Sequence, residues 1–297
     1  MTNRAAWITE PKARPLGVDS AADPKAGLGE VVIKNAAVSV NPVDCEVVEI
    51  GEGVNGLKKG QHVIGHCVGL ATNDPKYGGF QLYTVCKGIL VSPIPDWLSF
   101  EQPVVLPLAI STAATGLFKK DRLALPYPTN ASKPTGKTVL VWGGSSSVGS
   151  SAIQLAAAAG VIVVTVASSH NLQYVKSLGT KHAFDYKSPS VVDDIVSAVR
   201  STDFAGVFNA ISMGESSGIW SQVLWKLGSG GKYASTLPEA EGVPKDMAGG
   251  GAVWKKFVPE ALANGKPQAK PNPQAITGGL PKIQEGLDRL EARRIGA

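Results

Sequence analysis

The stretch from Thr138 to Ala159 limits what this chain can fold into more than any other. Thr138-Val-Leu-Val-Trp142 is a β-branched run of strand length, Gly143-Gly-Ser-Ser-Ser-Val-Gly149 is a turn of small residues, and Val148 to Ala159 predicts a helix closed by Gly160 at a left-handed cap. A strand that turns directly into a helix leaves backbone N–H groups at the helix N-terminus. There, hydrogen bonds and the positive end of the helix dipole stabilise a diphosphate. Gly143, Gly144, Ser145, Ser146, Ser147, Val148 and Gly149 are therefore the candidate diphosphate-binding residues. Against the G-x-G-x-x-G pattern, Gly144 and Gly149 are in place, while Ser146 occupies the middle position, where a glycine lets backbone approach phosphate. The competing reading is a tight turn that packs a helix on a sheet and holds no ligand.

The residues beyond the turn support the ligand-binding reading. Val161–Val166 reads as a strand, Asn171–Leu178 as a helix, Ala183–Tyr186 as a short strand, and Val191–Arg200 as a helix with a capping box from Ser190 and Asp193. Phe204–Ile211 and Gly231–Leu237 supply two further strands around a helix at about Ser216–Leu227. Strands joined by crossover helices make an α/β, doubly wound parallel sheet. At the end of the second strand an NAD-binding unit usually carries an Asp or Glu for the ribose 2′-hydroxyl. This chain reads Val166-Ala-Ser-Ser-His-Asn171, without a carboxylate. Ser168, Ser169, His170 and Tyr186 are candidate donors to a 2′-phosphate, so NADP(H) is expected over NAD(H). Ser169 or Asn171 also reads as a helix N-cap.

Before Leu106 the chain shows short β segments, Glu30–Lys34, Glu46–Ile50, Gln61–Gly65 and Phe80–Val85, and no long helix. Near the other end, Ile283, Leu287 and Leu290 predict an amphipathic helix over Pro281–Arg294. A length of 297 residues is enough for about two domains. We expect a β-rich domain at 1–108, a nucleotide-binding domain at 109–257, and a segment at 258–297 that returns to the first. The net charge of +5 is spread without a basic, aromatic-laced face, which argues against a nucleic-acid partner. Three cysteines without C-x-x-C spacing exclude a disulfide framework and a four-cysteine zinc lobe, and they fit a reducing compartment. His62, His66 and Cys67 read as ordinary strand and loop residues. Met1–Glu10 lacks signal-peptide character, and the longest apolar run, Leu155–Ala167, is broken by Gly160 and too short for a membrane span. The expected location is cytoplasmic.

Five blocks carry a resemblance in order along the chain: Asn41-Pro-Val-Asp44, Val48–Val54 with Leu57–Gly65, Gly78-Gly-Phe-Gln-Leu-Tyr83, Pro107–Ala113 and Val141–Gly149. Together they resemble the zinc-independent medium-chain dehydrogenase/reductase superfamily, and within it the fungal ToxD-like and trans-acting enoyl reductases. The resemblance implies a GroES-like domain built from both ends of the chain, a Rossmann domain between, and an active site in their cleft. It places Asn41 and Thr112 at the nicotinamide. The plain alternatives are an Asn-Pro turn and a helix-starting Thr. Zinc-dependent relatives carry a cysteine where Asn41 stands, and their Gly-His-Glu motif has no match, so no metal is expected.

The implied reaction is hydride transfer from NADPH to the β-carbon of an α,β-unsaturated carbonyl or thioester, the substrate arriving on an acyl carrier domain of a polyketide synthase. Thr112 and Tyr83 are candidates to face the carbonyl oxygen, although Tyr83 also reads as a packed strand aromatic. A quinone or enone reductase and a non-catalytic NADPH-binding remnant are the rival readings. The remnant reading comes from departures in the sequence: a stretch normally present between Asp44 and Glu46 is missing at Cys45, and material is also missing after Leu237 and at the C-terminus.

Overall fold

The computed structural model describes residues 2–40, 43–211, 216–228, 232–236 and 253–295. The chain divides into two units, Met1–Pro107 with Asn272–Ala297, and Leu108–Pro271.

In the first unit β1 (Arg4–Trp7) pairs antiparallel with β2 (Gly17–Ser20). Then come β3 (Glu30–Val38), β4 (Val43–Ile50), β5 (His62–Gly65), the single-turn helix α1 (Gly69–Thr72), β6 (Tyr83–Lys87) and β7 (Val91–Pro93). These five strands form an antiparallel sheet in the order β6-β3-β4-β5-β7. Alternation along β3 sends Val31 and Ile33 into a core with Val47, Val63, Cys86 and Val91, and turns the equally buried Val32 to the other face. The strand expected over Phe80–Val85 starts later, at Tyr83. Residues 80–82 serve β1 instead: Ala6 N–H donates to the Phe80 carbonyl at 2.8 Å and Leu82 N–H to the Arg4 carbonyl at 2.9 Å. β4 runs unbroken through Cys45, pairing Cys45 with Asn35 on one side and Val63 on the other.

Glu30 opens β3 with its side chain only 7% exposed, opposite Lys87 of β6 in register. Its Oε1 accepts hydrogen bonds from the Tyr77 hydroxyl and from Lys87 Nζ, the latter at 2.7 Å. Its Oε2 accepts Gly27 N–H at 3.1 Å and lies 3.6 Å from Lys76 Nζ. Burial pushes this carboxyl upward, but the bonds from Lys87, Tyr77 and Gly27 outweigh it and hold the group at about 2. His66, just beyond β5, is 2% exposed with Nδ1 unpartnered, and burial lowers it to about 4.

The second unit runs α2 (Pro107–Phe118), β8 (Lys137–Trp142), α3 (Ser147–Ala158), β9 (Ile162–Ala167), α4 (Leu172–Ser177), β10 (His182–Asp185), α5 (Val191–Val199), β11 (Asp203–Asn209), α6 (Ser216–Lys226), β12 (Tyr233–Ser235) and α7 (Val258–Ala263). All its strand pairs are parallel, in the order β10-β9-β8-β11-β12. The expected doubly wound sheet is therefore observed. Leu140, Trp142, Val164, Val166, Ile195, Val207 and Trp220 form part of one core on it. Gly160 has φ +74°, the left-handed position just past the end of α3. The capping box at α5 does not form: the Asp193 carboxylate pairs with Lys226 Nζ of α6 at 2.5 Å, and Ser190 Oγ donates to Asp194 Oδ2 at 2.8 Å. Of the strand expected over Gly231–Leu237, the end residues 231 and 237 lie outside the described residues.

Residues 258–271 cluster with the second unit and not, as expected, with the first. Val258, Ala261 and Leu262 of α7 are buried, Asn130 donates to the Glu260 carboxylate, and Gln268 N–H donates to Gln154 Oε1 at 2.7 Å. Trp254, wholly buried just before α7, donates from Nε1 to Ser111 Oγ at 3.0 Å. The return to the first unit comes later, with α8 (Ile283–Ile295). Its close contact is at Gly286, where a Cβ would lie 2.8 Å from Val40 Cγ2, and Leu290 of the expected apolar stripe is 38% exposed.

Two acid-sensitive steps are expected. His66 is held neutral below its ordinary value of 6.5, so the stability this contributes is present above pH 6.5 and lost as pH falls toward 4. Glu30 is held ionised below 4.5, so its contribution is present above pH 4.5 and lost as pH falls toward 2. In Glu30→Gln, urea unfolding at pH 7 should show a loss of about 2 kcal/mol, because the charge-assisted bonds from Lys87, Tyr77 and Gly27 are weakened while Lys87 stays partly solvated. The decline between pH 6.5 and 4 should persist in that variant, and the one below pH 4 should shrink by the share that Glu30 supplies.

Candidate coenzyme site

Counted from β8, the parallel sheet has the order 3-2-1-4-5, and the winding reverses between β8 and β11. In open α/β sheets, ligands bind at the carboxyl ends of the strands beside such a reversal. Residues 143–149 leave β8 at that edge, 168–171 leave β9, and 186–187 leave β10.

Three glycines of the turn are dictated by close approach. Gly143 has φ +81°, and a Cβ on it would lie 2.3 Å from Ile211 Cγ1. A Cβ on Gly144 would lie 2.2 Å from Thr165 Oγ1, which itself donates to the Val141 carbonyl at 2.7 Å. A Cβ on Gly149 would lie 2.2 Å from the Gly143 carbonyl oxygen. Ser146, by contrast, sits at φ −69° and ψ 162°, a conformation open to any residue, and serves as the N-cap of α3. Its Oγ donates to the Gly143 carbonyl at 2.8 Å and accepts Gly149 N–H at 3.0 Å. Both bonds direct the hydroxyl into the loop. Ser145 to Val148 stay half-exposed, and the Ser147 and Val148 amides head the helix. The arrangement fits a nicotinamide dinucleotide's diphosphate: it has a helix N-terminus, small residues and no acid in the turn. Behind the turn, Ser150 Oγ donates to the Gly144 carbonyl at 3.1 Å and lies 2.8 Å from Tyr174 Oη, tying α3 to α4.

After β9, Ser168 Oγ lies 3.3 Å from His170 Nε2 and accepts Asn171 Nδ2 at 3.1 Å. Neither the Ser168 nor the Asn171 side chain caps a helix here, and Ser169 and His170 are exposed. Tyr186 is brought beside them, because its N–H donates to the Ala167 carbonyl at 3.2 Å and Asp185 pairs with Ala167 in register. The structure adds a residue that sequence reasoning missed, Lys187, whose Nζ lies 5.7 Å from the centre of the Tyr186 ring. The available signal was a basic residue adjoining Tyr186 in a loop that flanks an acid-free one. Asp185, the neighbouring carboxylate, accepts Lys187 N–H at 3.0 Å.

The other candidates belong to other elements. Thr112 is half-buried in the middle of α2, so it does not start that helix. Tyr83 belongs to the first unit, where its N–H donates to Asn3 Oδ1 at 3.0 Å and its carbonyl accepts Asn3 Nδ2 at 3.1 Å. Asn41 lies outside the described residues.

Comparison with known proteins agrees with this architecture. Residues 147–236 match the family model described as zinc-binding dehydrogenase. The trans-enoyl reductase himH of Aspergillus japonicus is 39% identical over 327 aligned positions, covering 98% of this chain and 94% of its own. The dehydrogenase orsE of Emericella nidulans is 38% identical, with coverage of 98% and 96%. Because 98% of 297 residues fills about 291 of the 327 positions aligned with himH, about 36 positions stand opposite gaps in this chain. Among solved structures, the CurK enoyl reductase shares the fold with a TM-score of 0.68 at 17% identity, covering 98% of this chain and 96% of its own.

The family's description names zinc. Among the described residues, no three His, Cys, Asp or Glu side chains gather as a metal site, so these residues do not fit that ion. Aligned over nearly its whole length with a relative of this identity, the chain belongs to the zinc-binding, or medium-chain, dehydrogenase/reductase family, in its fungal trans-enoyl reductase group.

Proposed function

We propose that this chain is an NADP(H)-dependent enoyl reductase that acts on an α,β-unsaturated carbonyl or thioester, delivered on an acyl carrier domain of a polyketide synthase. The observation that carries the coenzyme half is the Ser146-capped turn at the sheet's reversal, beside a loop with no acid at its tip. The substrate half is supported by the family group and by relatives named trans-enoyl reductase. When bound, the coenzyme supplies the hydride that reduces the β-carbon.

The chain's own part is binding and charge. The amides of Ser147 and Val148 at the head of α3 bind the diphosphate, and Ser168, Ser169, His170, Tyr186 and Lys187 surround the 2′-phosphate. As negative charge develops on the substrate carbonyl oxygen, a donor must face it, and the hydroxyls of Thr112 and Tyr83 are the residues we assign to that task, with Asn41 at the nicotinamide.

Titration of the purified protein by coenzyme fluorescence should show NADPH bound at least tenfold more tightly than NADH, or about 1.4 kcal/mol. Lys187→Glu should remove most of that margin while changing NADH affinity less than about twofold. Equal affinities in the unaltered protein would refute the 2′-phosphate assignment.

Substitutions in the turn should separate packing from capping. Gly144→Ala, which drives a methyl into Thr165, should abolish coenzyme binding and lower the melting temperature. Ser146→Ala should cost about 1 kcal/mol in urea unfolding through the lost cap, whereas Ser146→Gly should cost only about 0.3 kcal/mol and keep coenzyme binding. Crotonyl thioester should be turned over with NADPH. Turnover of free quinones alone would favour a quinone reductase, and coenzyme binding without any turnover would mark a remnant.

A further inference from the structure

Cys67 directly follows β5 after His66, and Cys86 lies on β6, two strands that β3 and β4 separate in the sheet order. Even so, their sulfurs are 3.8 Å apart. The sheet curls around a shared core, and Gly65 makes the room, since a Cβ there would lie 3.1 Å from Cys86 Sγ and 3.4 Å from Ile33 Cδ1. A disulfide needs about 2.05 Å between sulfurs, so about 1.8 Å remains to be closed, a movement on the scale of a side chain. The two thiols differ in access: Cys67 is half-buried and Cys86 wholly buried. A partly exposed thiol that meets oxidant first, with a second thiol in contact behind it, is the arrangement of a reacting and a resolving cysteine.

We propose that Cys67 and Cys86 are a peroxide-sensitive modification site that closes reversibly into an intramolecular disulfide. The Cys67 thiolate attacks one oxygen of hydrogen peroxide, the O–O bond breaks, and the departing hydroxide takes a proton and leaves as water. The Cys86 sulfur then attacks the sulfur of the resulting sulfenic acid, forming the S–S bond and releasing the second water. Two thiols have together lost two protons and two electrons, and the peroxide has been reduced to two waters. The bridge encloses residues 68–85, including α1 and Tyr83. It holds whether or not the chain reduces enoyl substrates.

The test is to treat the folded, full-length protein with hydrogen peroxide, alkylate free thiols under denaturing conditions, and map tryptic peptides without reductant. Cleavage after Lys58, Lys59 and Lys76 puts Cys45, Cys67 and Cys86 on separate peptides. The expected result is a single bridge joining the Cys67 and Cys86 peptides, with Cys45 alkylated, full reversal by dithiothreitol, and a melting temperature raised by about 5 °C in the oxidised form. In Cys86→Ala, oxidation should stop at a Cys67 sulfenic acid trapped by dimedone, and Cys45→Ala should still form the bridge. A bridge through Cys45, a bridge between two chains, or alkylation of both Cys67 and Cys86 after peroxide would overturn the proposal. Because the peptide map is read on the unaltered chain, a variant that fails to fold does not blunt the result.

Discussion

The contact on which the nucleotide-binding unit depends is the close packing of glycine backbone where β8 gives way to α3. Gly149 sits so close to the Gly143 carbonyl, and Gly144 so close to Thr165, that neither position has room for a single methyl group. That closeness sets the first turn of α3 at the carboxyl edge of the sheet, directly beside β9. Ser146 then fixes the exit angle with two hydrogen bonds to the same loop, one given and one received. The requirement for small residues is therefore a packing requirement first. An edge that fits a phosphate results, because packing of this kind leaves amides and mostly small side chains at the head of the helix.

This order of causes explains what was readable in the sequence. β8 and β9 are apolar, β-branched runs buried on both faces, the pattern a parallel sheet demands, and with the apolar second half of β11 their order along the chain implied the doubly wound unit. The turn and the Ser168–His170 loop were readable because the identity of a small residue or the absence of an acid is a local fact. Lys187 was not, since one exposed lysine has no periodicity and gains meaning only when β10 aligns beside β9. The same limit explains the misreadings elsewhere. Phe80–Leu82 has strand character but pairs with β1, Asp193 is drawn to Lys226 of another helix, and α8 makes its close contact through Gly286. Each outcome turns on a partner distant in sequence, which periodicity does not name.

The two clusters of polar side chains differ in how fully their hydrogen-bonding capacity is used. Both carboxylate oxygens of Glu30 are engaged, by Tyr77, Lys87 and Gly27 with Lys76 close by, inside the first unit. A carboxylate so engaged has little left to offer a ligand; its work is to hold the start of β3 to β6. At the carboxyl edge of the second unit, Ser169, His170, Tyr186 and Lys187 are exposed. Hydrogen bonding there is sparse and mostly internal to one loop, which is the condition for donors to exchange water for a phosphate at small cost.

The shortening expected at Cys45 bears on a strand whose course is described. β4 passes through that position and keeps ladders with β3 and β5 on its two sides, Asp44 against Ala37 and Ile64, Glu46 against Lys34 and His62. The antiparallel sheet is thus continuous across Cys45. The parallel sheet, for its part, shares no strand with β4, and its order is set by pairs entirely within residues 137–235. The course of β4 at Cys45 and the turn at the carboxyl edge of the parallel sheet are therefore physically independent. A change in the chain near Cys45 therefore acts on the first unit's sheet, while the strand order that sets the turn after β8 is fixed elsewhere.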